Sequence, residues 1–197
     1  MAEFGLSFVE IGATMTVFFV VSGVGQAMAG FGVDRFGALR ILLAGISCFV
    51  LAGLGLAMAT SSSALYAIAA LAGLGNAVFH PADFTVLNRH VSQPRLGHAF
   101  SVHGLSGNLG WAVAPLFLTG LATLAGWRIA AAATIFVAIP AMLLLWRHRA
   151  LLDTGHHAHA AKQPGHGALD FMRVGAVWLC FAFFFLITAA FGAIQNF

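Results

Sequence analysis

A chain of 197 residues that is 60% hydrophobic and 8% charged, with a mean hydropathy of +0.94, is not a soluble domain, because soluble domains carry about 25% charged residues. Its formal charge of +3 does not point to nucleic acid, since the basic residues sit at the ends of apolar runs, where their side chains reach lipid headgroups. The apolar runs are continuous rather than alternating, which excludes a membrane β-barrel.

A bilayer core about 30 Å thick needs about 20 apolar residues per helix. Six runs satisfy this, at residues 11–33, 41–60, 64–87, 97–125, 128–147 and 173–197. The expected fold class is an all-α membrane protein with six transmembrane helices. The first, third and fifth connections hold eight Lys and Arg residues, and the second and fourth hold only Arg128. Lys/Arg excess marks the cytoplasmic side, so the odd connections are expected inside and both termini outside. Residues 1–10 lack the basic start of a secretory signal, so no cleaved leader is expected.

In the first run Ser22, Gln26, Gly30 and Asp34 recur at spacing four and share one helical stripe. A polar or small stripe faces protein or a water-filled path rather than lipid. Close helix packing explains it, and a role lining a path would be added to that packing. Next comes Gly30-Phe31-Gly32-Val33-Asp34-Arg35-Phe36-Gly37-Ala38-Leu39-Arg40, which brings an acid, two arginines and three glycines between two apolar runs. The runs at 41–60 and 128–147 have no ionisable group in their interiors and read as outer helices, the second carrying Pro140.

The run 64–87 places Ala72, Asn76 and His80 at spacing four with Asp83 three further on, beside the helix breaker Pro81. Asn76, His80 and Asp83 are therefore expected on one face. Ionisable groups and breaks at depth mark substrate or ion routes; a structural hydrogen bond at the Pro81 kink, or Asp83 pairing with Arg89 or water at the interface, accounts for them equally. In 97–125, His103 and Asn108 need internal partners, Ser106, Gly110 and Ala114 repeat at spacing four beside Gly107, and Pro115 bends the helix. Small residues at this spacing let two backbones approach, whether in fixed packing or at a moving contact.

Between Arg147 and Arg173 lies the hydrophilic stretch, with His148, His156, His157, His159 and His166. Such tracts can bind metal. Asp153 alone is a weak partner and no cysteine accompanies the histidines, so a cytoplasmic linker is expected and no metal site. Cys48 and Cys180, each inside an apolar run, read as small packing residues. The last run is rich in phenylalanine and ends Gln195-Asn196-Phe197.

The charged stretch resembles the signature of the major facilitator superfamily, which is a glycine, Asp-Arg four residues on, then glycine and a basic cluster. Gly30, Asp34, Arg35, Gly37 and Arg40 match it; Ala38 and Leu39 stand where the family usually has basic residues, and Gly32 replaces an aliphatic one. The resemblance implies that the six spans correspond to helices 2–7 of a twelve-helix fold. Residues 1–147 would then be a partial amino-terminal bundle of five helices, 148–172 the His-rich cytoplasmic linker, and 173–197 the truncated first helix of the second bundle. Phe79-His80-Pro81-Ala82-Asp83 and the stretch from Arg95 to Pro115 look similar to fosmidomycin-resistance-type drug exporters. Gly110-x-x-x-Ala114-Pro115 is similar to the glycine-proline motif of drug/proton antiporters.

The resemblance further implies a secondary active transporter working by alternating access in a bacterial inner membrane, and not an enzyme. Asp34 and Arg35 would latch its cytoplasmic face, and Gln26, Asn76, His80, Asp83, His103 and Asn108 would line a path for a small molecule or ion. No cofactor is implied beyond proton coupling, and the place expected for the family's coupling arginine, around Ala69 and Ala70, is alanine. Further helices or a second copy of the chain would complete the activity. The alternative is a transport-inactive truncated protein or a non-transporting membrane partner.

Overall fold

The computed structural model describes residues 3–152 and 170–195, and among these every regular element is helical. The chain divides into two compact units, Met1–Ala158 and His159–Phe197. The first contains α1 (Phe8–Phe36), α2 (Ala38–Ala57), α3 (Ser62–Ala77), α4 (Phe79–His90), a 3-10 turn (Gln93–Arg95), α5 (Leu96–Ala125), α6 (Trp127–Arg147) and the four-residue α7 (Arg149–Leu152). The second contains a 3-10 turn (Asp170–Arg173) and α8 (Gly175–Gln195). Most of the linker, residues 153–169 with four of its histidines, lies outside the described residues.

Five segments are long and apolar enough to cross a membrane: Phe8–Phe36, Ala38–Ala57, Ser62–His90, Gln93–Ala125 and Trp127–Arg147. They are the first five expected spans. The sixth, α8, is 21 residues long and is apolar over Gly175–Ala190. Its Trp178 indole donates to the Met172 carbonyl at 2.7 Å, and Phe181 stacks on Phe185.

Local chemistry sets the boundaries. Ser7 and Glu10 form a capping box: Ser7 Oγ accepts from the Glu10 amide, and the Glu10 carboxylate accepts from the Ser7 amide at 2.8 Å. That pair starts α1 at Phe8, three residues before the expected span. Gly37 and Gly126 each join two helices as a single residue, at φ 83°, ψ 152° and φ 89°, ψ 154°. An L side chain is essentially excluded from this backbone region. In both corners the glycine amide closes the preceding helix, onto Val33 O and Ala122 O, while its carbonyl opens the next, to Ile41 N and Ala130 N.

Pro81 divides the third span. Lacking an N–H, it cannot bond the carbonyl four residues back, at Ala77, so α3 ends there and α4 begins at Phe79. Pro81 then lies in the first turn of α4, where the missing donor would have had no helical partner.

Within the first unit α3 packs on α1 and α2, α6 on α2 and α5, and α4 on α1, α2 and α5. Among the described residues eight of the twelve buried apolar ones are alanines, including Ala38, Ala77, Ala82 and Ala131, so the backbones approach through small side chains. A Cβ on Gly45 would strike Val78 and the Gly75 carbonyl; one on Gly73 would lie 2.6 Å from the Phe18 carbonyl. Large residues instead point outward, such as Phe19, Met28, Leu116, Phe136 and Leu143. Apolar exteriors around small-residue contacts suit a bilayer, where hydrocarbon supplies no drive to hide them.

Candidate functional site

The glycine corner carries the signature residues at one end of the unit. Val33, Ala38 and Leu42 pack with Ala82 of α4 into a buried cluster, flanked by Phe79, Val86 and, from α6, Leu145. The corner is thus held by apolar packing, and its charges point away from it. Asp34, Arg35 and Arg40 are exposed, and none of them forms an ion pair among the described residues. Arg35 lies over the Phe36 ring at 5.3 Å. Gly37 is required by its φ, whereas a Cβ at Gly30 would meet nothing within 4 Å.

The expected polar face along residues 76–83 is divided by the break at Val78. Asn76 donates from Nδ2 to Ser22 Oγ on α1 at 2.8 Å, and Ser22 is buried. Asp83 instead meets α5: its Oδ2 lies 3.6 Å from His103 Nε2, with the two side chains 27% and 33% exposed. That separation exceeds a hydrogen bond and forms an ion pair when the imidazole is protonated. His80 is exposed and tilts against Phe84, whose ring also meets Phe100 and His103. The structure therefore brings Asp83 and His103 together and separates them from Asn76. Gln26 is half-buried on α1, and Asn108 is exposed on α5.

The stripe of small residues along α5 has open space beside it. A Cβ on Gly104, Gly107 or Gly110 would find no atom within 4 Å, and Ser106, Ala114 and Pro115 are exposed. Ser106 Oγ returns a hydrogen bond to the His103 carbonyl at 2.7 Å. No group of three metal-ligating side chains occurs among the described residues.

One cluster falls outside the expected sites. At the opposite end of the unit Arg128 donates to the carbonyls of Ala57 (3.0 Å) and Ala59 (2.9 Å) and pairs with Glu3; the Trp127 indole also donates to Glu3 at 2.9 Å. Arg128 covers the Trp127 ring at 4.3 Å, and Phe4 meets that ring edge-on. The bond from Arg128 holds the Glu3 carboxyl below its usual range. The sequence signal was Gly126-Trp127-Arg128, the one basic residue among the non-basic connections.

A bundle of apolar helices that meet through small residues, with basic groups gathered at one end and a glycine corner presenting an acid and arginines, is a multi-pass integral membrane protein. The chain belongs to the Major Facilitator Superfamily, whose family model matches residues 1–197.

It is similar to the fosmidomycin resistance protein of Escherichia coli (strain K12), 38% identical over 116 residues covering 58% of this chain and 28% of that protein. It is also similar to the multidrug resistance protein B homolog of Mycobacterium tuberculosis (strain ATCC 25618 / H37Rv), 28% identical over 73% of this chain and 27% of the relative. With the probable 4-methylmuconolactone transporter of Cupriavidus pinatubonensis it shares 32% identity over 76% of this chain and 35% of the relative. The chain thus spans about a third or less of the length of these relatives.

Proposed function

We propose that this chain is part of a secondary active transporter that exports small organic molecules from the bacterial cytoplasm by alternating access. The observation that carries the proposal is the unpaired set Asp34, Arg35 and Arg40, held outward by a packed glycine corner. Charges anchored on a packed corner, with no ion-pair partner among the described residues, are suited to a partner on another body. Such pairs bias a two-state equilibrium when they form in one state and separate in the other. The names of the resistance proteins and transporters it resembles support the class, and the efflux direction is drawn from the resistance proteins.

In this reading the corner lies at the cytoplasmic face, with the arginines of the odd connections, and both termini are outside. Asp83 and His103 are the groups through which proton movement would couple to transport, and Gln26, Asn76, His80 and Asn108 lie along the path. The open face formed by Ser106, Gly107, Gly110, Ala114 and Pro115 supports a need for further helices or a second copy. A chain that inserts and assembles but moves no solute by itself is the second reading, favoured by that same face.

Asp34→Asn, made in the whole transporter, is expected to reduce efflux by about 5- to 150-fold, the range of a 1–3 kcal/mol bias, with normal amounts in the membrane. Unchanged efflux at equal expression would remove the latch. Efflux from vesicles holding only the 197-residue chain would exclude the second reading.

A further inference from the structure

A groove of about 470 Å³ runs between the end of α4 and the first half of α5. Leu87, Val91, Ala99 and Val102 form its apolar walls, with Arg95 and His98 at its mouth. Both basic side chains are exposed and form no ion pair among the described residues. The 3-10 turn Gln93–Arg95 leads directly into α5, the Gln93 carbonyl accepting from the Leu96 amide, and so holds Arg95 and His98 within one turn of each other. Arg89 and His90 end α4 nearby, whereas the acid on this helix, Asp83, lies about two turns away, against the His103 that lines the inner end of the groove.

Dimensions narrow the choice of occupant. From Arg95 to Ser106, the far end of the groove, eleven helical steps of 1.5 Å give about 16 Å. Half of a hydrocarbon core about 30 Å thick is nearly the same length. The groove is basic at headgroup level and apolar to about the depth of one leaflet. Among the described residues no acid lines it to receive the ammonium of a zwitterionic headgroup.

We infer that this groove is a binding site for an anionic phospholipid of the adjoining leaflet, with the phosphate between Arg95 and His98 and one acyl chain along the apolar walls. Lipids of this charge concentrate positive side chains at membrane surfaces. The site does not depend on transport by the chain; it requires that the bundle sits in a bilayer and that lipid, rather than a further helix, meets α5 between Arg95 and Ser106.

The test uses the 197-residue chain in detergent micelles supplied with phosphatidylglycerol or phosphatidylcholine, with retained lipid counted by native mass spectrometry. Phosphatidylglycerol should be retained in preference by about five-fold for each basic group engaged, and the preference should fall as salt rises. The double variant Arg95→Gln, His98→Gln should bring the two lipids close to parity. Val102→Trp keeps every charge and fills the groove, so it should lower phosphatidylglycerol retention alone, and it decides the matter if the double variant fails to fold. Equal retention of both lipids by the unaltered chain would overturn the site. So would displacement of phosphatidylglycerol by excess inorganic phosphate with Val102→Trp having no effect, since the site would then hold only an anion.

Discussion

At the scale of single residues, the most closely specified group is Arg128. It meets two carbonyls at the end of α2 that lack helical partners, which is how a cation stabilises a helix C-terminus. Glu3 completes the arrangement from outside the spans, its carboxyl held below its usual 4.5 by the bond from Arg128. A carboxyl with a lowered pKa stabilises the fold in its charged form, fully above its unfolded value, and that contribution is lost as pH falls through the lowered one. Acidification should therefore release the N-terminal segment from α6. Trp127 fluorescence should report a transition below pH 4.5 that is absent in Glu3→Gln. An identical transition in that variant would show that Glu3 is not the group responsible. The sequence showed Arg128 only as an exception to the charge rule. Its partners, 69 to 125 positions away along the chain, could not be read from spacing.

At the scale of elements, four helix positions were plain in the sequence and one was altered by a single residue. The apolar runs located α1, α2, α5 and α6 because no ionisable group interrupts their centres, while capping chemistry at Ser7 and Glu10 moved one boundary by a turn. Counting every third or fourth residue through 76–83 assumed one continuous helix. The break before Pro81 ends that phase, so Asn76 bonds α1 and Asp83 meets α5. Short polar side chains on α4 fold back onto their own helix, Thr85 to the Pro81 carbonyl and Asn88 to that of Phe84. That leaves Asp83 and His103 as the contact between charged groups of α4 and α5. Pro81→Ala should restore the donor, join α3 to α4 and turn Asp83 away from His103. The expected result is unchanged or raised thermal stability with reduced efflux by the whole transporter. Efflux equal to the unaltered protein would show that the break has no part in transport.

At the scale of the whole molecule, the legible part is the alternation of basic and non-basic connections. The described bundle gathers Arg35, Arg40, Arg89 and Arg95 at connections on one side, and Arg128 with Glu3 on the other. The proposed orientation can be checked with cysteines in an otherwise unaltered chain, apart from replacement of Cys48 and Cys180. Ser61→Cys should react with a membrane-impermeant maleimide in intact cells, and Ser92→Cys only after the membrane is opened. The reverse pattern would invert the topology and move the Asp34 corner to the outside. What the sequence could not supply was the unoccupied face of α5. Its glycines have the spacing of a packed interface, but a spacing does not say whether the opposing helix is in the same stretch of chain.

The two single-glycine corners have a consequence for symmetry. Gly37 and Gly126 differ by only 6° in φ and 2° in ψ, yet they turn the chain at opposite ends of the bundle. The same one-residue turn therefore serves two helix pairs that point in opposite directions, α1–α2 and α5–α6. The two corners differ in what surrounds them. At one end the arginine beside the corner is bound to helix carbonyls and an N-terminal acid, so that elbow is fastened within its own bundle. At the other the acid and arginines are left outward. A bundle with one sealed elbow and one open elbow has a built-in polarity, with a face for anchoring and a face for engagement.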